Sequence, residues 1–435
     1  MFRKRNVKRI VKKETRVRTR VEKVSDRPVR KKVSRWIHTR HYFVRNFFAP
    51  FFWFWSRLVY NIRIEKFKDA KKRGHLVLFN HQTSFDQFFV GLAFSVPVYY
   101  VASEDLFSNG FVSKLLQYYL APIPINKSAA DLRAVINCMK VASEGGTLAL
   151  APEGNRTYSG RTVHIKPSIA ALVKKLKLPV AFFRIEGGYG VQPRWSDVNR
   201  RGRMKAGVSR VLEPDEYLAM SDEELYSVIC SELYVDEARV TGKFTHRKRA
   251  EYLERVIYIC PECGLSEFES SGCRLSCKKC GLTAEYLPTK ELSFIKGSAD
   301  FRFVADWYDW QEKYINSIDP ADFGEEPVYT DHARVSLVVV ARYKKKLCDR
   351  AEIRLYGNRI EINCSPAEML VFDFGGGGSV TALGRNKMNL RFGGNIYQIK
   401  GNSRFNPVKY MNLFYRYRNL HVGGNSQNDS EFLGL

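Results

Sequence analysis

The segment His75-Leu-Val-Leu-Phe-Asn-His-Gln-Thr-Ser-Phe-Asp86 joins an unbroken apolar run to a polar loop that ends in a carboxylate. Such runs are typical of strands that are buried on both faces of a sheet. Three further apolar runs, at 98–102, 147–151 and 178–185, alternate with stretches typical of helices. This alternation predicts an α/β domain with a largely parallel sheet, which a charged helical stretch at 221–253 would close.

Two polar side chains in that loop are suited to chemistry. His81 and Asp86 follow a buried strand, at the edge where open α/β sheets place their sites. The histidine can take a proton from a hydroxyl group, and a carboxylate on its second ring nitrogen can fix the tautomer. Because positions five residues apart on one helix point about 140° apart, we expect His81 in the loop and Asp86 in the first helical turn. A capping box with Thr83 as N-cap explains the same residues structurally, and both interpretations can hold together.

A second polar segment, Pro152-Glu153-Gly154-Asn155-Arg156, also follows an apolar run. Gly154 permits a close backbone approach, and Arg156 offers a planar fork of donors that matches phosphate geometry. Alone, this segment is equally compatible with an ordinary surface turn. Its position at the end of another strand favours a site shared with the first segment, at one edge of the sheet.

The two segments together resemble the sequence blocks of the glycerolphosphate acyltransferase superfamily, and of its 1-acylglycerol-3-phosphate acyltransferases in particular. The first block of that family reads Asn-His-x4-Asp, and the third reads Phe-Pro-Glu-Gly-Thr-Arg-Ser. The resemblance spans roughly residues 60 to 215 and implies that His81 is the general base and Asp86 its orienting partner. By the same resemblance, the acceptor phosphate is held by Lys127, Glu153, Gly154 and Arg156.

The resemblance also implies a reaction and its substrates. A fatty acyl chain would pass from acyl-CoA or acyl carrier protein to the hydroxyl of a lysophospholipid, with 1-acylglycerol-3-phosphate as the leading candidate and no metal in the reaction. The sequence departs from the family at several positions. Ala151 and Asn155 replace the usual Phe and Thr, Lys127 replaces an arginine of the second block, and Phe182-Phe-Arg184 replaces the usual Val-Pro-Val ending. Because several of these residues belong to the expected acceptor site, another lysophospholipid or hydroxyl acceptor stays open.

The N-terminal region combines charge with aromatic residues. The formal net charge is +26, and residues 1–40, expected to be a disordered basic arm, supply much of it. In the aromatic segment at 41–60, the unbroken apolar core from Phe47 to Trp55 is too short to span a bilayer, which needs roughly 20 apolar residues. A polybasic stretch before an aromatic segment is typical of interfacial anchors on anionic membranes. A buried packing helix is the alternative.

The basic arm is compatible with two kinds of binding partner, because anionic lipid and nucleic acid both present closely spaced phosphates. A basic, zinc-ribbon nucleic-acid-binding protein is the rival interpretation, but it leaves both polar segments at the strand ends unexplained. We therefore expect an anionic membrane surface as partner and no nucleic acid. Because no secretory signal pattern precedes the aromatic segment, we expect a peripheral or monotopic protein at the cytoplasmic face of a membrane.

Two Cys-x-x-Cys-Gly knuckles within 254–290 have the spacing of a zinc ribbon. Two such pairs can bring four thiolates into the tetrahedron that zinc prefers, and the glycine allows each tight turn. The predicted ligands of a structural Zn²⁺ are Cys260, Cys263, Cys277 and Cys280. Cys273 is an alternative ligand at less suitable spacing, and a redox pair is the alternative to a metal site.

The remaining sequence predicts a small β-rich domain. A linker is expected at 291–330, after the ribbon and the acyltransferase-type domain at 61–253. Within 331–421, seven short runs of strand character precede one amphipathic helix, which predicts a small β-barrel capped by a helix. This order of elements resembles a pleckstrin-homology-like domain, a module that binds lipid headgroups or peptides. Residues 422–435 are expected to form a flexible tail.

Overall fold

The computed structural model describes residues 35–71, 73–103, 106–107, 110–125, 131–339, 343–365 and 368–422. The predicted basic arm and the predicted tail fall almost wholly outside these residues, and so does the predicted phosphate ligand Lys127. Residues from Trp36 onward belong to one structural unit.

Helices and strands alternate in the first half of the chain, and strands dominate the second half. The described helices are α1 (Thr39–Tyr60), α2 (Asp86–Ala93), α3 (Phe111–Leu120), α4 (Leu132–Ser143), α5 (Ser168–Leu176), α6 (Gly188–Val191), α7 (Pro214–Leu218), α8 (Asp222–Leu233), α9 (Val304–Ser317) and α10 (Pro407–His421). The strands of the first half are β1 (Ile62–Ile64), β2 (Leu76–Phe79), β3 (Val98–Ser103), β4 (Ile123–Ile125), β5 (Thr147–Leu150), β6 (Val180–Glu186) and β7 (Met204–Leu212).

The strands of the second half fall into two groups. The first group is β8 (Ile259–Cys260), β9 (Gly264–Leu265), β10 (Phe268–Ser271), β11 (Arg274–Cys277), β12 (Thr283–Tyr286) and β13 (Leu292–Lys296). The second group is β14 (Tyr329–Val339), β15 (Tyr343–Leu355), β16 (Arg359–Ser365), β17 (Glu368–Asp373), β18 (Ser379–Leu383), β19 (Lys387–Phe392) and β20 (Asn395–Gly401).

The first sheet has seven strands in the order β1-β7-β6-β2-β5-β3-β4. Its neighbours are parallel except for β6 and β7, so the prediction of an α/β domain with a largely parallel sheet is confirmed. Strand β2 lies at the centre, where Leu76 is opposite Leu148 of β5 and Val180 of β6. All four residues of β2 are buried, which explains its continuous apolar sequence. The loop after β2 therefore leaves the sheet at its middle.

Helix α1 covers the predicted anchor segment and has two different sides. On one side, Phe52 packs on Phe88 and Trp55 packs on Phe85, with ring centroids 4.7 and 4.8 Å apart. The other side exposes an apolar stripe with spacings of three or four residues, formed by Phe43, Phe47, Phe51, Phe54 and Leu58. Among the described helices, none combines the length and the apolar character that crossing a membrane requires.

The segment after the first sheet contains the two cysteine knuckles. Beyond them, a strand and a helix occupy the region that the sequence predicts to be a linker. Strands β8 and β9 pair with each other, and β10 to β13 form a four-stranded antiparallel sheet. The predicted linker at 291–330 contains both β13 and α9. Helix α9 buries Val304, Trp307 and Ile315, at spacings that place them on one side of a helix. Polar residues between these positions obscure that periodicity in the sequence.

A second seven-stranded sheet follows, in the order β17-β16-β15-β14-β20-β19-β18. Its strands are antiparallel, and α10 packs against β18 with Leu413 and Phe414 buried. The predicted small barrel with a capping helix is thus confirmed, in the form of a curled half-barrel closed by α10. A disulfide between Cys348 and Cys364 joins β15 to β16, a pairing that the sequence analysis did not predict. One hydrophobic core runs from the knuckle region into this C-terminal sheet.

Candidate active site

The catalytic candidates His81 and Asp86 meet where β2 leads into α2. The Nδ1 atom of His81 lies 2.8 Å from Oδ2 of Asp86. His81 is in the loop, and Asp86 is the first residue of α2. The Asp86 side chain is fully buried, whereas 24% of the His81 side chain is exposed. Because Nδ1 faces the carboxylate, Nε2 is the ring nitrogen that can exchange a proton with a substrate.

Nearby donors hold the Asp86 carboxylate in place. It accepts hydrogen bonds from the N–H groups of Gln82 at 2.6 Å and Thr83 at 2.9 Å, and from the Thr83 hydroxyl at 2.6 Å. Together with the His81 ring, these donors fix the orientation of the carboxylate. Helix α2 has Phe85 as its N-cap. Thr83 is therefore not the N-cap that the capping-box interpretation requires.

Two further side chains hold residues 80–86, called the catalytic loop after the predicted role of His81 and Asp86, against neighbouring elements. The Asn80 amide both donates to and accepts from the backbone of Ile185 in β6, at 2.8 Å each. The Glu153 carboxylate accepts the N–H groups of His81 at 2.7 Å and Val163 at 3.0 Å. Burial raises the pKa of Glu153 to about 8, although these N–H groups oppose that effect. The Glu153 carboxylate thus helps to position residues 80–86, and its role at the acceptor phosphate stays a prediction.

The catalytic loop and the loop after β5 lie in a segment that matches a known family. Residues 61–185 match the family model described as Acyltransferase. This segment is an acyltransferase domain. Among solved structures, the 1-acyl-sn-glycerophosphate (LPA) acyltransferase PlsC from Thermotoga maritima matches with 22% sequence identity and a TM-score of 0.38, over 46% of this chain and 78% of that chain. The comparison with curated proteins gives no match.

Gly154 and Arg156, also predicted to bind the acceptor phosphate, lie in the loop after β5 of the acyltransferase domain. Gly154 has a φ of +68°, which glycine adopts without strain. The Nη1 atom of Arg156 is buried and has no hydrogen-bond partner among the described residues. Burial lowers the pKa of Arg156 to about 9, and the charges of Arg194 and Arg385 act in the same direction. A buried guanidinium donor without a partner can receive an anionic oxygen.

Gly188 and Gln192, which follow β6, contact the catalytic loop and were not predicted from the sequence. Gly188, the first residue of α6, approaches the catalytic loop so closely that an added Cβ would lie 2.6 Å from the Cβ of Gln82. The Oε1 atom of Gln192 accepts the N–H of Ser84 at 2.9 Å. The glycine-rich run Gly187-Gly-Tyr-Gly190 is a sequence signal for such a close approach. Gln192 lies in no recognisable pattern.

Arg194 joins the acyltransferase side of the molecule to the C-terminal sheet. Its buried guanidinium donates to the carbonyl groups of Arg156 at 2.9 Å, Ala382 at 3.0 Å and Gly384 at 3.1 Å. Its Cζ atom also lies 3.9 Å from the ring centroid of Tyr158. Ala382 and Gly384 belong to the end of β18 and the turn that follows it. The β18–β19 turn therefore lies beside the loop that carries Arg156.

The predicted zinc ligands come together outside the acyltransferase domain. Their four Sγ atoms all lie within 4.8 Å of one another, in a group formed by Cys260, Cys263, Cys277 and Cys280. Gly264 and Gly281, which follow the two pairs, have φ values of +74° and +79°, as tight knuckles require. Cys273 lies outside the group. Four thiolates at such separations suit tetrahedral zinc, with Zn–S bonds of about 2.3 Å.

Proposed function

We propose that the chain is an O-acyltransferase that transfers a fatty acyl chain from acyl-CoA or acyl carrier protein to the hydroxyl of a lysophospholipid. The observation that supports this function is the hydrogen bond between His81 and the buried Asp86 carboxylate, at the end of a central strand of the acyltransferase domain. We propose 1-acylglycerol-3-phosphate as the acceptor, with another lysophospholipid as the alternative. The reaction fits phospholipid biosynthesis.

The proposed mechanism has no covalent acyl-enzyme. With its Nδ1 proton held by Asp86, His81 takes the hydroxyl proton of the acceptor at Nε2. The acceptor oxygen attacks the thioester carbonyl carbon, an ester C–O bond forms, and the C–S bond breaks. The departing thiolate takes the proton from His81, so that the histidine returns to its starting state. Asp86 stabilises the imidazolium between these two proton transfers.

Substitution of His81→Ala in the full chain tests this function. Loss of a general base lowers kcat by about 10²- to 10⁴-fold, and we expect a fall in this range for transfer of radiolabelled acyl groups to 1-acylglycerol-3-phosphate. His332→Ala is the matched control, because His332 is exposed on β14 of the C-terminal sheet. Transfer at the wild-type rate by the His81→Ala protein would remove His81 from the mechanism.

We also propose that the protein binds peripherally to the cytoplasmic face of an anionic membrane through α1 and α3. The apolar stripe on α1 leaves Phe47 65% and Phe51 62% exposed, and Phe111 of α3 is 77% exposed. The Arg40 guanidinium lies 4.3 Å from the ring centroid of Tyr118, which links α1 to α3. Aromatic side chains of this kind settle at the boundary between lipid headgroups and acyl chains.

Vesicle co-sedimentation tests the membrane proposal. Burial of one Phe side chain stabilises by roughly 1.5–3 kcal/mol, so Phe47→Ser with Phe51→Ser should weaken binding to phosphatidylglycerol vesicles by at least about tenfold. A matched double substitution on the C-terminal sheet, Met369→Ser with Val371→Ser, removes exposed apolar side chains on β17. Equal binding by the two double variants would contradict the proposal.

The four clustered cysteines are proposed to bind one structural zinc ion. Sγ separations of 3.5 Å between Cys260 and Cys280 and 3.6 Å between Cys263 and Cys277 support this. Elemental analysis of the purified protein should find about one zinc per chain, since four thiolates form a closed site. Cys277→Ser should lose the zinc and lower the melting temperature, because zinc binding contributes folding free energy. Cys273→Ser should retain both, and loss of zinc in that variant would change the assigned ligand set.

A further inference from the structure

The turn between β18 and β19 brings an arginine of the C-terminal sheet to the acyltransferase side of the molecule. Arg385 follows Gly384, whose carbonyl group accepts a hydrogen bond from Arg194. An Nη1 atom of Arg385 lies 3.2 Å from Oδ1 of Asp197. Asn386 fixes the turn by donating through Nδ2 to two carbonyl groups at the end of β20, at 2.8 and 3.2 Å. The position of Arg385 is thus set by the fold of the C-terminal sheet.

Arg385 belongs to the same region as Arg156 and Arg194, because Arg194 donates both to the carbonyl group of Arg156 and to that of Gly384, the residue before Arg385. We call these three residues the arginine cluster. Burial lowers the pKa of Arg156, and the charges of Arg194 and Arg385 add to this effect. In the part of the chain that the structure describes, neither Arg156 nor Arg194 forms an ion pair. Arg385 has Asp197, but that carboxylate also receives two hydrogen bonds from Arg255, at 2.7 and 3.0 Å. The neighbouring carboxylates therefore neutralise only part of the positive charge of the arginine cluster.

Such a cluster is stabilised when an anion with several oxygens enters it. Like charges in a partly buried site repel each other strongly, and the buried Nη1 atom of Arg156 lacks an acceptor among the described residues. A phosphate monoester carries about −1.5 to −2 charges at pH 7 and three acceptor oxygens. Guanidinium groups match these oxygens through pairs of parallel N–H donors. One phosphate monoester can therefore engage two arginines at once.

We propose that Arg385 joins Arg156 in binding the terminal phosphate monoester of the acyl acceptor, so that the C-terminal domain completes the acceptor site. This inference rests on the proposed acyl transfer and adds a residue of the C-terminal sheet to its acceptor site. The acceptor is a hydroxyl compound that ends in a phosphate monoester. A phosphocholine headgroup carries a single negative charge and adds a cation, which the arginine cluster repels.

Acyl-transfer kinetics of the full chain test the inference with two acceptors. Arg385→Gln should raise the KM for 1-acylglycerol-3-phosphate about 10- to 100-fold, because a charge-assisted pair of hydrogen bonds is lost. Its kcat should stay within about threefold of the wild type, since His81 and Asp86 are untouched. Arg385→Lys should restore part of the affinity through its charge. With 1-acylglycerophosphocholine as acceptor, Arg385→Gln should change KM by less than about threefold.

Arg350→Gln is the matched control. Arg350 is exposed on β15, which is separated from β18 by β14, β20 and β19 in the sheet order, and its substitution should leave both KM values unchanged. Equal loss with both acceptors, or a loss in kcat alone, would assign Arg385 a structural role and overturn the inference. An unchanged KM for the phosphate monoester in Arg385→Gln would overturn it as well.

Binding without an acyl donor separates this inference from the proposed reaction. Titration calorimetry with glycerol 3-phosphate, a soluble phosphate monoester, should show at least tenfold weaker binding to Arg385→Gln than to Arg350→Gln. Titration with inorganic phosphate shows whether the glycerol moiety contributes. If the wild type transfers no acyl group but this difference in binding persists, the proposed function fails and the phosphate site stands. If transfer occurs but the two variants bind glycerol 3-phosphate equally, the phosphate site fails alone.

Discussion

The catalytic loop and the arginine cluster lie side by side but are assembled differently. The Asp86 carboxylate takes its hydrogen bonds from His81, Gln82 and Thr83, all within five residues. The arginine cluster takes its members from the loop after β5, the segment after α6 and the β18–β19 turn. A short stretch of chain therefore positions the proposed catalytic pair, whereas contacts between distant segments assemble the arginine cluster. This difference predicts that substitutions can impair one region and spare the other.

Asp86→Asn should have the largest effect, and it acts on the catalytic loop alone. An amide cannot accept from every donor that surrounds Asp86, and it no longer stabilises an imidazolium. We expect kcat to fall about 10⁴-fold and the free energy of unfolding to fall by about 2 kcal/mol, since buried donors lose their acceptor. The KM for a phosphate monoester should stay within about threefold. A KM that rises as far as kcat falls would show that the two regions are coupled.

Arg194→Met acts on the arginine cluster. The substitution removes the donor from three carbonyl groups, those of Arg156, Ala382 and Gly384. The Ala382 carbonyl belongs to a buried residue, and an unsatisfied buried group costs about 1–3 kcal/mol. We expect the free energy of unfolding in urea to fall by about 3 kcal/mol and the KM of the phosphate acceptor to rise. The kcat should fall much less than in Asp86→Asn. Unchanged stability together with a lost kcat would place Arg194 in the reaction itself.

Gly188→Ala tests how local the catalytic loop is. The added Cβ would meet the Cβ of Gln82 at 2.6 Å and Cγ2 of Thr83 at 3.2 Å, so the loop must shift. Small displacements of reacting groups lower rates strongly, and we expect kcat to fall about 10- to 100-fold. Gly324→Ala is the matched control, because an added Cβ there meets no atom within 4 Å. Equal kcat values for the two alanine variants would show that α6 does not position the loop.

The same contrast explains what the sequence could predict. The α/β sheet followed from continuous apolar strands, and His81 with Asp86 followed from a motif confined to seven residues. The group of four cysteines followed from the spacing of two Cys-x-x-Cys pairs, which tetrahedral zinc coordination favours. Arg194 and Arg385 stood in no pattern, because each contacts residues about 190 positions away in the sequence. Helix α9 was missed because its buried face mixes apolar residues with Gln311, which donates to and accepts from backbone groups near 256–259.

The smallest expected effect concerns His41, which joins two segments that are distant in the sequence. Its Nδ1 atom lies 3.0 Å from the Tyr99 hydroxyl, and the contact holds α1 against β3. Burial, with the charges of Arg40 and His38, lowers the pKa of His41 to about 4. The folded state therefore binds fewer protons than the unfolded state between pH 6.5 and pH 4, and stability falls as the pH falls through this window.

Urea unfolding at two pH values measures this contribution of His41. Between pH 7 and pH 5, the wild type should lose about 1–2 kcal/mol of unfolding free energy through His41, because one pKa unit corresponds to about 1.4 kcal/mol. His41→Gln should lack this part of the decline, since glutamine does not titrate. His332→Gln should keep it, because His332 is exposed on β14. If His41→Gln and His332→Gln lose equal stability between pH 7 and pH 5, protonation of His41 does not weaken the contact between α1 and β3.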